Sequence, residues 1–454
     1  MSLKVSVIGL GKLGCSMAAA MASKGVDVIG VDISKHTVDL VNEGAAPVQE
    51  TDLDTLVKLN KQRLRATLSH SEAILNSDIS FVIVPTPSDE RGAFSLQYAK
   101  WAFREIGRAL AHKNEYHLVV LTSTVLPGST RYGLLPVLER ESGKKCGADF
   151  GLCYSPEFIA LGSIIRDFLN PDFTLVGEYD QGSGEILEHA YSYILSNSPP
   201  CRRMSLENAE LTKIALNTFV TTKITYANML ASLCEKIPGG DVDVVTTAIG
   251  NDSRIGKKYL TGAIGYGGPC FPRDNVALGF LARELGVDAG IAEATNSVNK
   301  NIVPRIVTQV QKLISQGDTV AILGLAYKPH SHVIEESQGA ILAEALARSG
   351  VRVVAYDPLA SDNVKNELKG RILVLDTLQD CLDQASLVLI TTPDPEFRWI
   401  TAESFHNKQV IVLDFWRILD EQLSNRKNIQ YIPVGRCIDD KANAPALEKL
   451  WSDS

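Results

Sequence analysis

Val5-Ser6-Val7-Ile8-Gly9-Leu10-Gly11-Lys12-Leu13-Gly14 decides the fold, together with Val28-Ile29-Gly30-Val31-Asp32. A β-branched run ends in three spaced glycines, a helix rich in Ala and Met opens at once, and a second β-branched run closes on an acid. That strand, turn, helix and strand make a dinucleotide fingerprint when the glycines, the helix and the terminal acid all fall in register. Gly9, Gly11, Leu13 and Gly14 are the expected cofactor-binding residues of this turn: the glycines let backbone approach a pyrophosphate, and the helix N-terminus faces its negative charge. Asp32 is placed to accept the ribose hydroxyls and to repel a 2′-phosphate, which favours NAD over NADP, with Lys35 and His36 as weak opposition.

Outward from this turn, Ile79–Val84 and His117–Leu121 continue a series of strands spaced by helical patterns, which predicts βαβ units and a parallel sheet. Thr86-Pro87 and Ser123-Thr124 follow strand ends, where open α/β sheets bind ligands. From about residue 205 the pattern turns to long amphipathic stretches: Glu207–Glu235, Val242–Ile249, Asn275–Leu285 and Ile302–Ser315. A second βαβ series starts at Thr319–Leu325 and continues through Val351–Asp357, Leu387–Ile390 and Gln409–Leu413. The expected architecture is α/β: two Rossmann-like doubly wound domains, 1–200 and 317–454, joined by an all-helical central domain, 201–316.

The 454 residues are 45% hydrophobic and 22% charged, with no apolar run long enough to span a bilayer. The N-terminus lacks the pattern of a secretory signal, so the expected location is cytoplasmic. A net charge of −8 argues against a nucleic-acid partner. The eight cysteines are scattered, without the spacing of a disulfide framework or a metal site.

Chemistry concentrates in Gly265-Tyr266-Gly267-Gly268-Pro269-Cys270-Phe271-Pro272-Arg273-Asp274. A glycine-rich loop delivers a thiol to an expected helix start, with Pro272 suited to the first turn, and a helix N-terminus stabilises a thiolate. Asp274 shares the Cys270 face of that helix. In Glu207–Phe219, Lys213 and Asn217 lie one turn apart on a mainly apolar segment and have the chemistry to hold an oxyanion or move a proton. A buried inert cysteine and a solvated helix face are the plain alternatives.

In order along the chain, the fingerprint, Thr86-Pro87, Ser123-Thr124-Val125, Ser155-Pro156-Glu157-Phe158, the Lys213/Asn217 helix, Arg254-Ile255-Gly256, the Cys270 loop and Gly324-Leu325-Ala326-Tyr327-Lys328-Pro329 resemble the UDP-glucose/GDP-mannose dehydrogenase family. The resemblance implies an NAD-dependent four-electron oxidation of the C6 hydroxyl of a nucleotide-sugar through a thiohemiacetal and a thioester on Cys270, and a central domain that forms a homodimer. It assigns proton handling to Lys213 and Asp274, the oxyanion to Asn217, and water activation to Glu157 with Thr124. Thr86, Pro87 and Thr124 join the cofactor site. Arg254 and Tyr259 hold the nucleotide, Phe158 and Gly267 line the sugar site, and Lys328 and Arg417 close over the UDP-sugar, with Arg417 drawn from either subunit. Departures fall at Ser331, His332, Val333 and Glu335, at Pro269 and at Leu161. Phe271–Asp274 resembles the UDP-glucose branch. UDP-N-acetylhexosamine and GDP-mannose stay open as substrates. Two further readings stay open: a two-electron hydroxyacid dehydrogenase, which needs no cysteine, and a catalytically silent binding scaffold.

Overall fold

Alternate residues of the opening strand go to opposite cores. In the computed structural model, which describes residues 3–368 and 370–452, Val5 and Val7 join one hydrophobic cluster while Ile8 joins another. The same split recurs at Ile79 and Phe81 against Val82, and at Leu118 and Val120 against Val119 and Leu121. A strand covered by helices on both faces reads as a continuous apolar run, as these do.

The chain divides into two units, one ending at Leu216 and one beginning at Asn217. In the first, β1 (Lys4–Ile8), β2 (Asp27–Val31), β3 (Leu64–Thr67), β4 (Ile79–Val82), β5 (Leu118–Leu121), β6 (Gly151–Tyr154), β7 (Thr174–Glu178) and β8 (Cys201–Ser205) form one sheet in the order β3-β2-β1-β4-β5-β6-β7-β8. The helix Lys12–Ser23 buries Cys15 and every residue from Met17 to Ala22. Its alanines let it lie close on the sheet. Order reverses between β1 and β4, which opens the crevice where such sheets bind ligands.

The strand spacing predicts a parallel sheet, but β6 and β7 run antiparallel. The intervening segment buries Ile165 and Phe168 in the cluster under the Lys12–Ser23 helix. It therefore stays at the carboxyl end of the sheet, and β7 starts from that end. Ser155–Phe158 is kept there as a result.

Helices follow at Leu206–Cys234, Val242–Gly250, Phe271–Glu284, Gly290–Lys300 and Ile302–Leu313. The second unit then builds β9 (Thr319–Leu323), β10 (Arg352–Tyr356), β11 (Leu373–Val374), β12 (Leu387–Ile390), β13 (Val410–Asp414) and β14 (Ile429–Pro433) into a sheet ordered β11-β10-β9-β12-β13-β14. All its pairs are parallel. Among the described residues no helix is long and apolar enough to cross a membrane.

At the far end of the first sheet, His117 is fully buried, with Nδ1 3.1 Å from the Ser77 carbonyl and Nε2 2.7 Å from Ser80 Oγ. Burial pushes its imidazole down to about 3, and the Lys113 charge adds to the shift. In the unfolded chain the same ring titrates near ~6.5. Below that pH the unfolded state binds the extra proton, so stability is lost as pH falls from 6.5 toward 3. Calorimetric Tm is expected to drop more steeply between pH 7.5 and 5.5 in the wild type than in His117→Gln, although the variant starts lower. Equal slopes remove His117 from the acid response.

Candidate active site

At the end of β1 the three glycines do three different things. Gly9 has φ +97°, and an added Cβ would lie 2.2 Å from the Ile83 carbonyl oxygen. At Gly14 the Cβ would lie 1.9 Å from the Gly9 oxygen, so the helix could not seat on the turn. At Gly11 it meets nothing within 4 Å of the described residues. Gly9 and Gly14 thus serve the protein's own packing, and Gly11 leaves open space at the N-cap of Lys12–Ser23. Leu13 packs on the core beneath. Asp32 Oδ2 accepts from Leu10 N at 2.9 Å and Oδ1 from Ser34 N at 2.8 Å, which fixes the carboxylate beside the turn. Beyond β4 and β5, Thr86 Oγ1 donates to the Thr124 carbonyl at 2.7 Å, Pro87 takes Ser95 N on its carbonyl, and Ser123 Oγ bridges Val84 N and O.

The long helix Leu206–Cys234 supplies the next contacts of the first unit. Lys213, 8% exposed, donates from Nζ to the Glu157 carbonyl at 2.6 Å and lies 4.6 Å from the centre of the Phe158 ring. Burial drives the Glu157 carboxyl up to about 8, against the opposing pull of the Lys213 charge. One turn earlier the fully buried Glu210 accepts from Gly128 N at 2.6 Å and Thr130 N at 2.8 Å. It ties the segment after Thr124 to the helix. Sequence reasoning passed over Glu210, and an acid three residues before Lys213 on the same face was the available signal.

In the second unit, Cys270 is exposed and caps the helix Phe271–Glu284, and its carbonyl accepts from Asp274 N at 2.9 Å. Asp274 is 1% exposed and receives Asn217 Nδ2 at 2.6 Å. Asn275, which the sequence did not flag, donates to Thr221 Oγ1 at 2.7 Å and to the Phe271 carbonyl at 3.0 Å. Tyr259 sits at φ +64° with its ring edge-on to Phe271. Arg254 is exposed and forks onto Asp252. A Cβ at Gly267 would lie 2.2 Å from the Glu336 oxygen, so this glycine lets two backbones meet.

Three models of one family match the chain in order: the NAD binding domain of the UDP-glucose/GDP-mannose dehydrogenase family over residues 3–195, its central domain over 207–301 and its UDP binding domain over 321–421. A UDP-glucose 6-dehydrogenase of Haloferax volcanii is 35% identical over 94% of this chain and 99% of that protein. The chain belongs to the UDP-glucose/GDP-mannose dehydrogenase family. A GDP-mannose 6-dehydrogenase of Pseudomonas putida is 33% identical over 90% of this chain and 96% of its own length. The solved UDP-glucose dehydrogenase of Pyrobaculum islandicum aligns with a TM-score of 0.87 at 31% identity, covering 96% of this chain and 98% of that one.

The cofactor of this dehydrogenase is NAD, and the glycine turn with Asp32 fits it. The UDP binding domain of the dehydrogenase reuses the turn. Gly324 has φ +106°, a Cβ at Gly339 would lie 2.0 Å from the Gly324 oxygen, and Asp357 Oδ2 accepts from Leu325 N and Ala326 N. Here thirteen residues, 325–337, separate Gly324 from the helix Gln338–Arg348, and Lys328 lies on that insertion with Nζ 5.8 Å from the Tyr327 ring centre.

Arg417 is placed differently from the expectation that it reaches over the sugar. Its side chain is 2% exposed. Nε and Nη2 fork onto Asp243 at 2.7 and 2.8 Å, and Nη1 donates to the Phe415 and Val434 carbonyls. A guanidinium so committed has little left for a ligand, because four of its roughly five N–H groups are used.

Four variants of the purified dehydrogenase separate these roles. Gly9→Ala should lose about 1–3 kcal/mol from the positive φ alone, with a lower Tm. Gly11→Val should keep Tm while NAD binding, read by fluorescence titration, weakens roughly tenfold. Arg417→Leu should cost about 3 kcal/mol, the low end for breaking a buried pair because Asp243 can rehydrate. Asp243→Asn should cost less in the same denaturation experiment.

Proposed function

We propose that this dehydrogenase oxidises the C6 alcohol of UDP-glucose to the carboxylate, consuming two NAD, with Cys270 as nucleophile. The observation that carries the reading is an exposed thiol at a helix N-cap, one turn before a buried Asp274 that is hydrogen-bonded by Asn217. The N-terminal end of a helix favours the thiolate. UDP-glucose is supported by the UDP binding domain and by the similarity to the Haloferax and Pyrobaculum enzymes. GDP-mannose is the competing substrate, because the Pseudomonas relatives share the family.

NAD, when bound, accepts a hydride from C6 at each of two stages. Gly11, at the open N-cap, would take its pyrophosphate on the turn that Gly9, Leu13 and Gly14 shape, Asp32 would hold its ribose, and Thr86, Pro87 and Thr124 would complete the cofactor site. Lys213 or Asp274 takes the hydroxyl proton as the alcohol becomes an aldehyde. The Cys270 sulfur then bonds to C6, and the carbonyl oxygen becomes an alkoxide held by Asn217 and Lys213. Loss of the second hydride leaves a thioester. Glu157, with Thr124, takes a proton from water, the new C–O bond forms, and the C–S bond breaks to return the thiolate. Phe158, Arg254, Tyr259, Gly267 and Lys328 hold the UDP-sugar, and Arg417 acts through Asp243 to position its own domain.

We divide the enzyme into an NAD domain, a central domain and a UDP-sugar domain, with the expected boundary at 200 moved past β8, which completes the first sheet at Ser205, and the second kept between 316 and 317. A homodimer through the central domain is supported by Phe219, Tyr226 and Leu233, which are 65%, 50% and 51% exposed and recur every seventh residue on one helix. Such a stripe on a helix is a surface for a partner helix. The cytoplasm is the location we infer for the enzyme, whose scattered cysteines lack the spacing of a disulfide framework.

Two NADH per UDP-glucose, with no free aldehyde, are expected of the wild type, and Cys270→Ala should not complete the second oxidation. Since Glu157 must be a carboxylate to act as base, thioester hydrolysis should accelerate as pH rises through about 8. In Glu157→Gln that rise should vanish and acyl-enzyme should accumulate, read by intact-protein mass. One NADH per sugar in the wild type sinks the four-electron reading.

A further inference from the structure

The segment Gly262–Gly268 is buried throughout and belongs to no helix or strand. Buried backbone in such a segment still needs partners for its N–H and C=O groups. Two amide side chains provide them. Asn228 accepts from Ala263 N at 2.8 Å and donates to the Ile264 carbonyl at 3.0 Å. Asn299 accepts from Tyr266 N at 2.9 Å and donates to the Tyr266 carbonyl at 3.0 Å. Each amide gives this segment one donor and one acceptor, as a neighbouring strand would. Gln338 adds a second donor to the Tyr266 carbonyl at 3.2 Å. Gly265 allows this approach, since a Cβ there would lie 2.6 Å from Asn299 Oδ1 and 2.8 Å from Gln338 Oε1.

Tyr266 in turn reaches the start of the cysteine helix. Its ring packs edge-on to Phe271, the residue after Cys270, and its hydroxyl lies 3.5 Å from Asn275 Nδ2. Asn299 is 6% exposed and sits on the helix Gly290–Lys300, well separated in sequence from the thiol. We propose that Asn299 is a positioning residue for the nucleophile: its two-point grip on the Tyr266 backbone sets the turn that presents Cys270 at the helix N-cap. The inference rests on the reading of Cys270 as the reactive thiol. Asn299 touches no reacting atom. Its effect travels through Tyr266 to Phe271 and Asn275.

The test is the rate of Cys270 alkylation by iodoacetamide in the full-length enzyme without substrate, mapped by peptide mass, together with steady-state kinetics. Asn299→Leu keeps the shape and removes both hydrogen-bonding groups, while Asn299→Ser keeps a hydroxyl that can donate or accept. Misplacing a reacting group by a fraction of an ångström costs roughly tenfold or more. Asn299→Leu is expected to lose at least that factor in alkylation rate and in kcat, with KM for NAD unchanged, and Asn299→Ser to fall between it and the wild type. Wild-type alkylation in Asn299→Leu overturns the proposal. If Asn299→Leu does not fold, Asn299→Ser decides alone, and a rate equal to the wild type overturns the proposal. Failure of the underlying reading looks different: Cys270 of the wild type would then react no faster than the other cysteines, or its alkylation would leave activity intact.

Discussion

A helix face that is both buried and polar has to find a partner for every group on it, and the helix Leu206–Cys234 carries such a face. Glu210, Lys213, Asn217, Thr221 and Asn228 recur at spacings of three, four, four and seven residues and are all at most 8% exposed. Left unpaired in a low-dielectric interior, each would cost about 1–3 kcal/mol or more. Each finds a partner in a loop or in the first turn of another helix. Glu210 and Lys213 fix the loop after β5 and the Glu157 carbonyl in the first unit. In the second, Asn217 and Thr221 hold Asp274 and Asn275, and Asn228 holds Ala263 and Ile264. The segments that carry the proposed chemistry therefore take their conformation from one helix.

The two Rossmann-like sheets show one steric solution used twice. Gly9 with Gly14, and Gly324 with Gly339, put a glycine of the helix against a glycine carbonyl of the turn at a distance no Cβ tolerates. Asp32 and Asp357 then bind the backbone that follows the first glycine. The difference lies in what separates glycine from helix. In the NAD domain the helix begins at once, so its N-terminus faces the space beside Gly11. In the UDP binding domain the insertion 325–337 intervenes, and its Glu335 carbonyl accepts from Gly268 N at 3.1 Å. The insertion that carries Lys328 also supports the loop ahead of Cys270. Of the departures from the family pattern, Glu335 therefore touches that loop through its carbonyl.

Electrostatics divide the candidate site by environment. Glu157 and Glu210 are both carboxyls raised by burial, to about 8 and about 7. Glu210 has both oxygens occupied by backbone N–H groups and serves as a tie, while at Glu157 the Lys213 Nζ hydrogen-bonds the carbonyl and its charge opposes the upward shift of the carboxyl. The same residue type takes two roles because the hydrogen bonds differ.

The sequence by itself determined the two α/β halves, the helical middle and the cofactor class, because those depend on local periodicity and on glycine spacing that sterics make nearly unique. It also pointed to Cys270, Lys213, Asn217 and Asp274, whose spacing on helices is readable one turn at a time. Tertiary structure alone decided that β7 turns back against β6, since that follows from where Ile165 and Phe168 find a core. It alone revealed Glu210, Asn228 and Asn299, which in the sequence are ordinary polar residues on helices and become distinctive only when buried beside backbone that has no other partner. Arg417 shows the converse. Its position after a strand suggested a ligand contact, yet the approach of Asp243, 174 residues away in the chain, turned it inward, and no local pattern encodes a pairing made at that distance.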